Sequence, residues 1–433
     1  MGPPGAAAVR RRVELPTGTL ELAVEDGDAL ERLCGFAARR NPRRGFLVVS
    51  RVLGRHLPAR PAAMRASMAA LAAPLADADL AGPVLFFGMA ETATALGHGV
   101  HDAWRAMTGR EDALYLQSSR QRVAGSDLLT RFEEGHSHAS THLVQVDPAL
   151  HSRLGTTRTL VLVDDECSTG ATFVAAARAL VGALPNVASV RAVSITDWSG
   201  GAWLARMPRP SASHAELEGA LDWTPVGSGA GDGAGDGPGD RADGGAEAGP
   251  VPGDAVAPER IALAPASNAP GTAPVDGTPA RTGFARYRTP ARTPLDLGAA
   301  RRWTVLGDGE FSFEALRLAE EIEATGAVAH VQCITRSPVL PGHAMATVTP
   351  LADAYGSGAP CFVHNLLGGA PEAIAVVSER AGDQAREIAA WLDAHGAGDV
   401  PVSLVTCRFG AGDAPDARSG APAGARPDDP TGA

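Results

Sequence analysis

Short apolar runs alternate with longer stretches of helical spacing along the first half of the chain, the order expected of a parallel sheet with helices on its faces. Residues 45–50 (GFLVVS), 83–88 (PVLFFG), 160–163 (LVLV) and 189–198 (SVRAVSITDW) read as strands. One helix is predicted to open in MAETATALG, at Thr92, Thr94 and Gly97. A second starts at Ala171, where Phe173, Val174, Ala177, Leu180 and Val181 share one face.

The pattern stops near Val226. GSGAGDGAGDGPGDRADGGAEAGPVPGD and its Ala/Pro-rich continuation hold too few large apolar residues to offset the cost of ordering, which predicts a flexible linker over 226–280. Beyond it, RRWTVLGDGEFSFEALRLAEEIEATG reads as strand, Gly-rich turn and amphipathic helix, with Leu316, Leu318, Ala319 and Ile322 on the apolar face and Gly326 as the stop. AHVQCITRSP and VSLVTCRFG supply further strands. The expected organisation is two α/β domains, 11–225 and a smaller 281–410, each with its own core, and a loose tail over 411–433.

Composition narrows the function. The formal net charge of −11 owes much to the acidic linker, so bulk attraction to nucleic acid is not expected. All 38 basic residues are arginine, which leaves no lysine to act as base or phosphate clamp, and arginine must bind any phosphate. Cys34, Cys167, Cys333, Cys361 and Cys407 are scattered, without a CxxC pair, as in a reducing cytoplasm. No apolar run reaches membrane-spanning length and the first residues lack a signal-peptide core. A cytoplasmic protein with no membrane partner is the expectation.

Candidate chemistry concentrates in VLVDDECSTGAT, residues 161–172. Asp164 and Asp165 fall at the carboxyl end of a strand, where open α/β sheets bind ligands, and two acceptors there suit the vicinal hydroxyls of a ribose. Ser168, Thr169, Gly170 and Thr172 bring hydroxyls and N–H groups to a helix start, which favours a phosphate. Arg51 and Arg55, just past GFLVVS, either meet a phosphate or form a solvated basic loop. His136, His138 and His142 make an H-x-H-x-x-x-H cluster that is a zinc candidate as well as part of a flexible loop. Trp198 either stacks on a base or belongs to the core. In the second half, Gly307, Gly309, Glu310, Thr335, Arg336, Ser337, Asp353 and Arg408 lie in polar clusters at or near strand ends, which suggests one crevice with Arg336 and Arg408 facing an anionic group.

The run of apolar residues, acid pair and threonine-glycine turn resembles the phosphoribosyl-pyrophosphate motif of type I phosphoribosyltransferases, with Ser168 where a second threonine is usual. NPRRGFLVVSRVLGRHLP, FFGMAETATALG, EEGHSHASTH and LVDDECSTGAT resemble the orotate phosphoribosyltransferase-like domain of a tellurite-resistance-associated family. GDGEF, TRSP and RFG resemble the TRSP domain fused behind it. The usual lysines after GFLVVS are arginines here.

The resemblance implies that Asp164 and Asp165 hold the ribose 2′- and 3′-hydroxyls, while Cys167, Ser168, Thr169, Gly170, Ala171 and Thr172 wrap the 5′-phosphate. Gly88, Met89, Ala90, Glu91 and Thr92 would contact the diphosphate. A mobile hairpin between Arg120 and His142 would bring Arg120, Arg122 and Arg131 to the leaving group, with Glu133, His136 and His138 exchanging protons or placing the base. Mg2+, bound mainly through substrate near the acid pair, is implied, as are a homodimer and partner proteins of the same biosynthetic gene cluster. The implied activity is transfer of ribose 5-phosphate to a base-like acceptor, making a nucleotide-like metabolite linked to tellurite or stress resistance. The alternatives are a nucleotide-binding regulator without turnover and a degradative hydrolase or phosphorylase.

Overall fold

The computed structural model describes residues 8–39, 41, 44–133, 141–226, 279–356 and 358–409. Most of the expected linker, the tail, and His136 and His138 lie outside them. The chain opens with β1 (Val9–Leu15), β2 (Gly18–Val24), α1 (Gly27–Leu33), β3 (Cys34–Ala38), β4 (Phe46–Ser50) and α2 (Pro61–Asp77). It continues through β5 (Val84–Gly88), α3 (Thr94–Thr108), β6 (Ala113–Gln117), β7 (Asp127–Glu133), β8 (Thr141–Val146) and α4 (His151–Leu154). β9 (Thr159–Cys167), α5 (Ala171–Ala183), β10 (Ser189–Asp197) and β11 (Ser211–Pro225) complete the first domain.

A seven-stranded sheet runs in the order β1-β2-β11-β10-β9-β5-β6. Its β11-to-β6 part is parallel, and β2 and β1 add an antiparallel edge. Leu85, Phe86 and Phe87 in β5 and Leu160 to Val163 in β9 are fully buried, which explains why these central strands read as unbroken apolar runs. One strand is not where the alternating pattern put it. β4, the GFLVVS run, pairs only with β3 in a separate antiparallel hairpin, because an apolar run records burial and not its partner.

The second domain holds α6 (Pro279–Thr282), β12 (Ala291–Arg292), β13 (Arg302–Asp308), α7 (Ser312–Ala324), β14 (Val328–Ile334), β15 (Val348–Leu351) and β16 (Cys361–His364). β17 (Ala373–Ser378), α8 (Gln384–Ala394) and β18 (Val402–Arg408) follow. Five strands order as β12-β18-β17-β13-β14, parallel apart from β12.

Each domain has an apolar cluster of its own, with Phe87, Leu162 and Trp203 in the first and Leu306, Val376 and Ile388 in the second, but a further one joins them. It takes in Met64 and Met68 of α2, Val100 of α3, Phe313 and Leu316 of α7 and Val331 of β14. At the same seam His98 of α3 stacks on Phe313, 3.5 Å between ring centroids. Backbone joins the domains as well. Ala59 N donates to Val331 O at 3.0 Å and Val331 N to Ala59 O at 2.8 Å, so a first-domain loop extends the open edge at β14. Among the described residues no helix is long and apolar enough to cross a membrane.

Candidate functional site

The large sheet has one topological switch point. From β5 the chain moves outward to β6, whereas from β9 it moves the other way through β10 to β11, so the order reverses between β5 and β9. Ligand crevices of open α/β sheets lie outside the carboxyl ends of strands at such a point. The loops after β5 and β9 therefore face each other across the candidate site.

β9 ends in Asp164, Asp165 and Glu166, all half-buried, before the buried Cys167. Asp165 N donates to Asp164 Oδ1 at 3.0 Å. Burial, with the charge of Glu166 added, pushes the Asp165 carboxyl up to about 6, against the opposing pull of Asp164's hydrogen bond and Arg55. Glu166 is itself ion-paired with Arg44. Burial drives the Cys167 thiol to about 12, so this cysteine enters the loop as a neutral wall residue.

The turn that follows is built for an anion. The N–H groups of Ser168, Thr169 and Gly170 have no hydrogen-bond acceptor among the described residues, and α5 begins directly after them. Gly170 sits at φ +71°, and a Cβ there would stand 2.0 Å from the Trp203 ring. Trp203 stacks on Phe173 and donates Nε1–H to Ser199 Oγ at 2.8 Å, while Ser199 N donates to Asp197 Oδ1 at 2.7 Å. This back wall carried no local motif. Arg206, also unremarked by sequence, places Nη2 3.3 Å from Thr169 O, beside the loop.

Across the crevice, β5 leads into Gly88, Met89, Ala90, Glu91 and Thr92. Met89 N donates to Val163 O at 3.0 Å and Ala90 N to Ser118 Oγ at 2.8 Å, which locks the loop to β9 and β6. The N–H groups of Glu91 and Thr92 have no acceptor among the described residues and are the donors left for a ligand. Close approach requires glycine at both positions, since a Cβ on Gly97 would lie 2.7 Å from the Gly88 Cα and one on Gly88 2.6 Å from the Tyr115 hydroxyl.

The hairpin β7–β8 stands beside this loop. His142 is buried, 2.9 Å through Nδ1 from Ser118 Oγ and stacked on Phe132. His136 and His138 lie outside the described residues, so the H-x-H-x-x-x-H reading extends beyond them. Arg122, Arg131 and Glu133 are exposed, and Arg120 donates Nη1–H to Thr141 O at 3.0 Å. Trp198 is core, 8% exposed. Arg51 is exposed and donates Nε–H to Cys34 O at 2.8 Å. Arg55 is no solvated loop residue: it is 2% exposed, ion-paired with Glu91, and donates to Gly309 O at 2.7 Å.

That contact brings the second domain to the first domain's loops. Glu310 Oε2 accepts from Ser119 Oγ at 2.6 Å and from Arg281 Nε at 2.9 Å, and Oε1 accepts from Arg120 N. Burial would raise the Glu310 carboxyl, but Arg281 and these hydrogen bonds outweigh it and hold it below its ordinary value. Arg281 also pairs with Glu379. Thr335, Arg336 and Asp353 gather with Asp308, Gly309 and Tyr355 in a narrow crevice whose other wall is Glu91 and Gln121. Ser337 N closes onto Thr335 Oγ1 at 3.2 Å, and Gly307 packs against the start of α7. Arg408 is apart from this crevice, exposed on β18 opposite Ala291.

Residues 33–219 match the family described as phosphoribosyl transferase, and residues 286–394 match the TRSP domain found C-terminal to it. Solved structures that the chain matches include adenine phosphoribosyltransferase from Rhodothermus marinus, 16% identical, over 43% of this chain and 98% of that one, TM-score 0.30. The adenine phosphoribosyltransferase from Trypanosoma brucei, in complex with AMP, pyrophosphate and ribose-5-phosphate, is 14% identical over 48% of this chain and 86% of that one, TM-score 0.31. That from Saccharomyces cerevisiae is 11% identical over 43% and 97%, TM-score 0.28. No curated protein matches the chain.

Proposed function

We propose, from a chain that belongs to the type I phosphoribosyltransferase superfamily and carries a TRSP domain behind it, that the first domain is a Mg2+-dependent enzyme moving ribose 5-phosphate from phosphoribosyl pyrophosphate to a nitrogenous base. One observation carries this reading: an acid pair and a loop of unpaired N–H groups stand at the end of β9, directly across the switch point from the two unpaired N–H groups of the β5 loop. A sugar with a phosphate at one end and a diphosphate at the other fits between them.

Asp164 and Asp165 accept hydrogen bonds from the ribose 2′- and 3′-hydroxyls. Ser168 to Thr172 hold the 5′-phosphate at the amino end of α5, helped by Arg206, and Glu91 and Thr92 hold the diphosphate by backbone N–H. As the C1′–O bond breaks, positive charge grows on the ribose beside the carboxylates, and the departing diphosphate takes the electron pair. A nitrogen lone pair of the acceptor then forms the new bond to C1′. Closure of the β7–β8 hairpin excludes water from the cation.

Among the described residues no group of three or more His, Cys, Asp or Glu side chains gathers to hold a metal alone. Mg2+ needs only one or two carboxylates when substrate oxygens complete its shell, so Asp164 and Asp165 fit a cation carried in by the donor. Bound there it supplies positive charge that stabilises the leaving diphosphate. The second domain binds the acceptor or receives the nucleotide-like product, in the tellurite-associated setting that the resemblance in sequence implies. The assembly we favour is a cytoplasmic homodimer.

Diphosphate release from the donor, measured with a panel of bases, tests the reading. Wild type turns over with at least one base, and Asp164→Asn plus Asp165→Asn slows it by at least about 100-fold. Saturable donor binding with no turnover on any base, equal in both forms, identifies a regulator instead.

A further inference from the structure

The five-stranded sheet has a switch point of its own. β13 leads to β14 on one side, while β17 and β18 lie on the other, so the crevice rule applies between β13 and β17. A narrow crevice opens beside that point, between the ends of β13 and β14, with Asp308 and Gly309 on one side and Thr335 and Arg336 on the other. Glu91 and Gln121 close it from the first domain, so it is complete only when the domains are docked.

Most of its charges are already spent on one another. Glu91 pairs with Arg55, Glu310 and Glu379 with Arg281, and Asp353 with Arg336 at 3.2 Å. Asp308 is different. It is 3% exposed, its Oδ2 accepts from Ser378 Oγ at 2.8 Å, and its Oδ1 has no hydrogen-bond partner among the described residues although the residue lines the crevice. No arginine forms an ion pair with it among those residues. Arg336, half-buried, lines the same crevice and gives one Nη2–H to Asp353.

We propose that this crevice is a second ligand site of the chain, which takes a phosphoryl group between the guanidinium of Arg336 and a proton shared with Asp308 Oδ1. Thr335 Oγ1 already accepts from Ser337 N and has its O–H to give to a phosphoryl oxygen. Burial holds the Asp308 carboxyl up at about 6, against the opposing pull of Ser378 and Arg281, with Glu379 and Asp353 adding to the rise. Phosphate monoesters lose their second proton near about 6 as well, so the two groups are matched to share one. A dianion that cannot carry a proton would meet Asp308 as a repelling carboxylate. The crevice encloses only about 10 Å³, so a phosphoryl group fits only with the Asp353-to-Gly356 turn displaced outward.

The choice of probes rests on the proposed transfer reaction; the site itself does not. Whole chain is titrated calorimetrically with ribose 5-phosphate, with inorganic diphosphate, and with sulfate as the proton-free mimic. Wild type, Arg336→Gln and Asp308→Asn are compared, each also with Asp164→Asn plus Asp165→Asn. The expected result is a binding event that survives loss of the acid pair, weakens at least tenfold in Arg336→Gln, and prefers phosphate to sulfate until Asp308→Asn abolishes the preference. If the sugar phosphate binds here the source is the transfer product; if diphosphate binds, it is the leaving group. Absence of any event that depends on Arg336, or one indifferent to phosphate against sulfate in wild type, overturns the proposal. Thr335→Val, which leaves the Arg336–Asp353 pair in place, gives the same weakening should Arg336→Gln not fold. Failure here leaves base transfer in the first domain standing, and absence of transfer leaves this result standing.

Discussion

At the carboxyl edge of the seven-stranded sheet, Asp164 and Asp165 stand half-exposed beside N–H groups with no acceptor among the described residues, whereas at the same edge of the five-stranded sheet Glu310 and Glu379 are buried around one arginine. Both sheets put carboxylates where ligands bind, yet the second has used most of its charge on ion pairs, Glu310 and Glu379 with Arg281 and Asp353 with Arg336, and Glu310 also reaches Ser119 of the first domain. Among the described residues Asp308 forms no ion pair and accepts from Ser378. Unsatisfied donors and acceptors mark where a ligand belongs, and mutually satisfied ones mark a joint. Arg281, 1% exposed, is the centre of that joint, since it reaches Glu310, Glu379 and the Tyr355 hydroxyl.

Removing Arg281 breaks this comparison most forcefully. Arg281→Ala takes away the cation that two buried carboxylates share, and urea unfolding should show a loss of about 3–5 kcal/mol. Adding Glu310→Gln and Glu379→Gln to that variant should recover most of the loss, because the stranded charges go with them. Gly170→Ala acts on the other edge. The added methyl meets Trp203 in a backbone conformation that L residues avoid, so a loss of about 1–3 kcal/mol accompanies at least tenfold weaker donor binding. Normal donor binding by the Gly170→Ala variant would show that the loop is not the phosphate cradle.

The first edge was legible because its signals are local. Strand, acid pair, small-residue turn and helix lie within residues 159–183, and each follows from spacing or from what a helix start leaves unpaired. The joint was not, since its partners are far apart in sequence. Arg55 meets Gly309 across the segment that composition reads as a linker, Arg281 meets Glu379 98 residues further on, and in PART an arginine looks like any other. Trp203 escaped for a related reason: nothing nearby in sequence says that an indole will cover Gly170. β4 was assigned to the wrong sheet because four apolar residues in a row state that they are buried and not beside what.

Titration sharpens the contrast between Asp308 and its paired neighbours. Its folded carboxyl lies at about 6 against an ordinary 3.8. Below the ordinary value both states hold the proton and burial costs nothing. As pH climbs toward about 6 the unfolded chain ionises first, so stability falls, and above that the penalty is complete. Asp308→Asn keeps an acceptor for Ser378 without the charge. Its stabilising effect in urea should therefore be about 1–2 kcal/mol greater at pH 8 than at pH 5. A pH-independent effect would mean that Asp308 is solvated or paired after all.

The smallest effect comes from an arginine only five positions past Arg281. Arg286 also ties the segment after α6 to the first domain, through a 2.7 Å contact with Glu111, but the two side chains are 69% and 59% exposed. Water screens such a pair, and ordering two long side chains offsets what attraction remains. Glu111 has Arg105 at 2.6 Å as a second partner, so it is not stranded when Arg286 is lost. Arg286→Gln should leave the urea midpoint unchanged within error. If it instead approached the cost of Arg281→Ala, the strength of the joint would come from the strap of chain as a whole, and burial of the Arg281 charge would not be what holds the domains together.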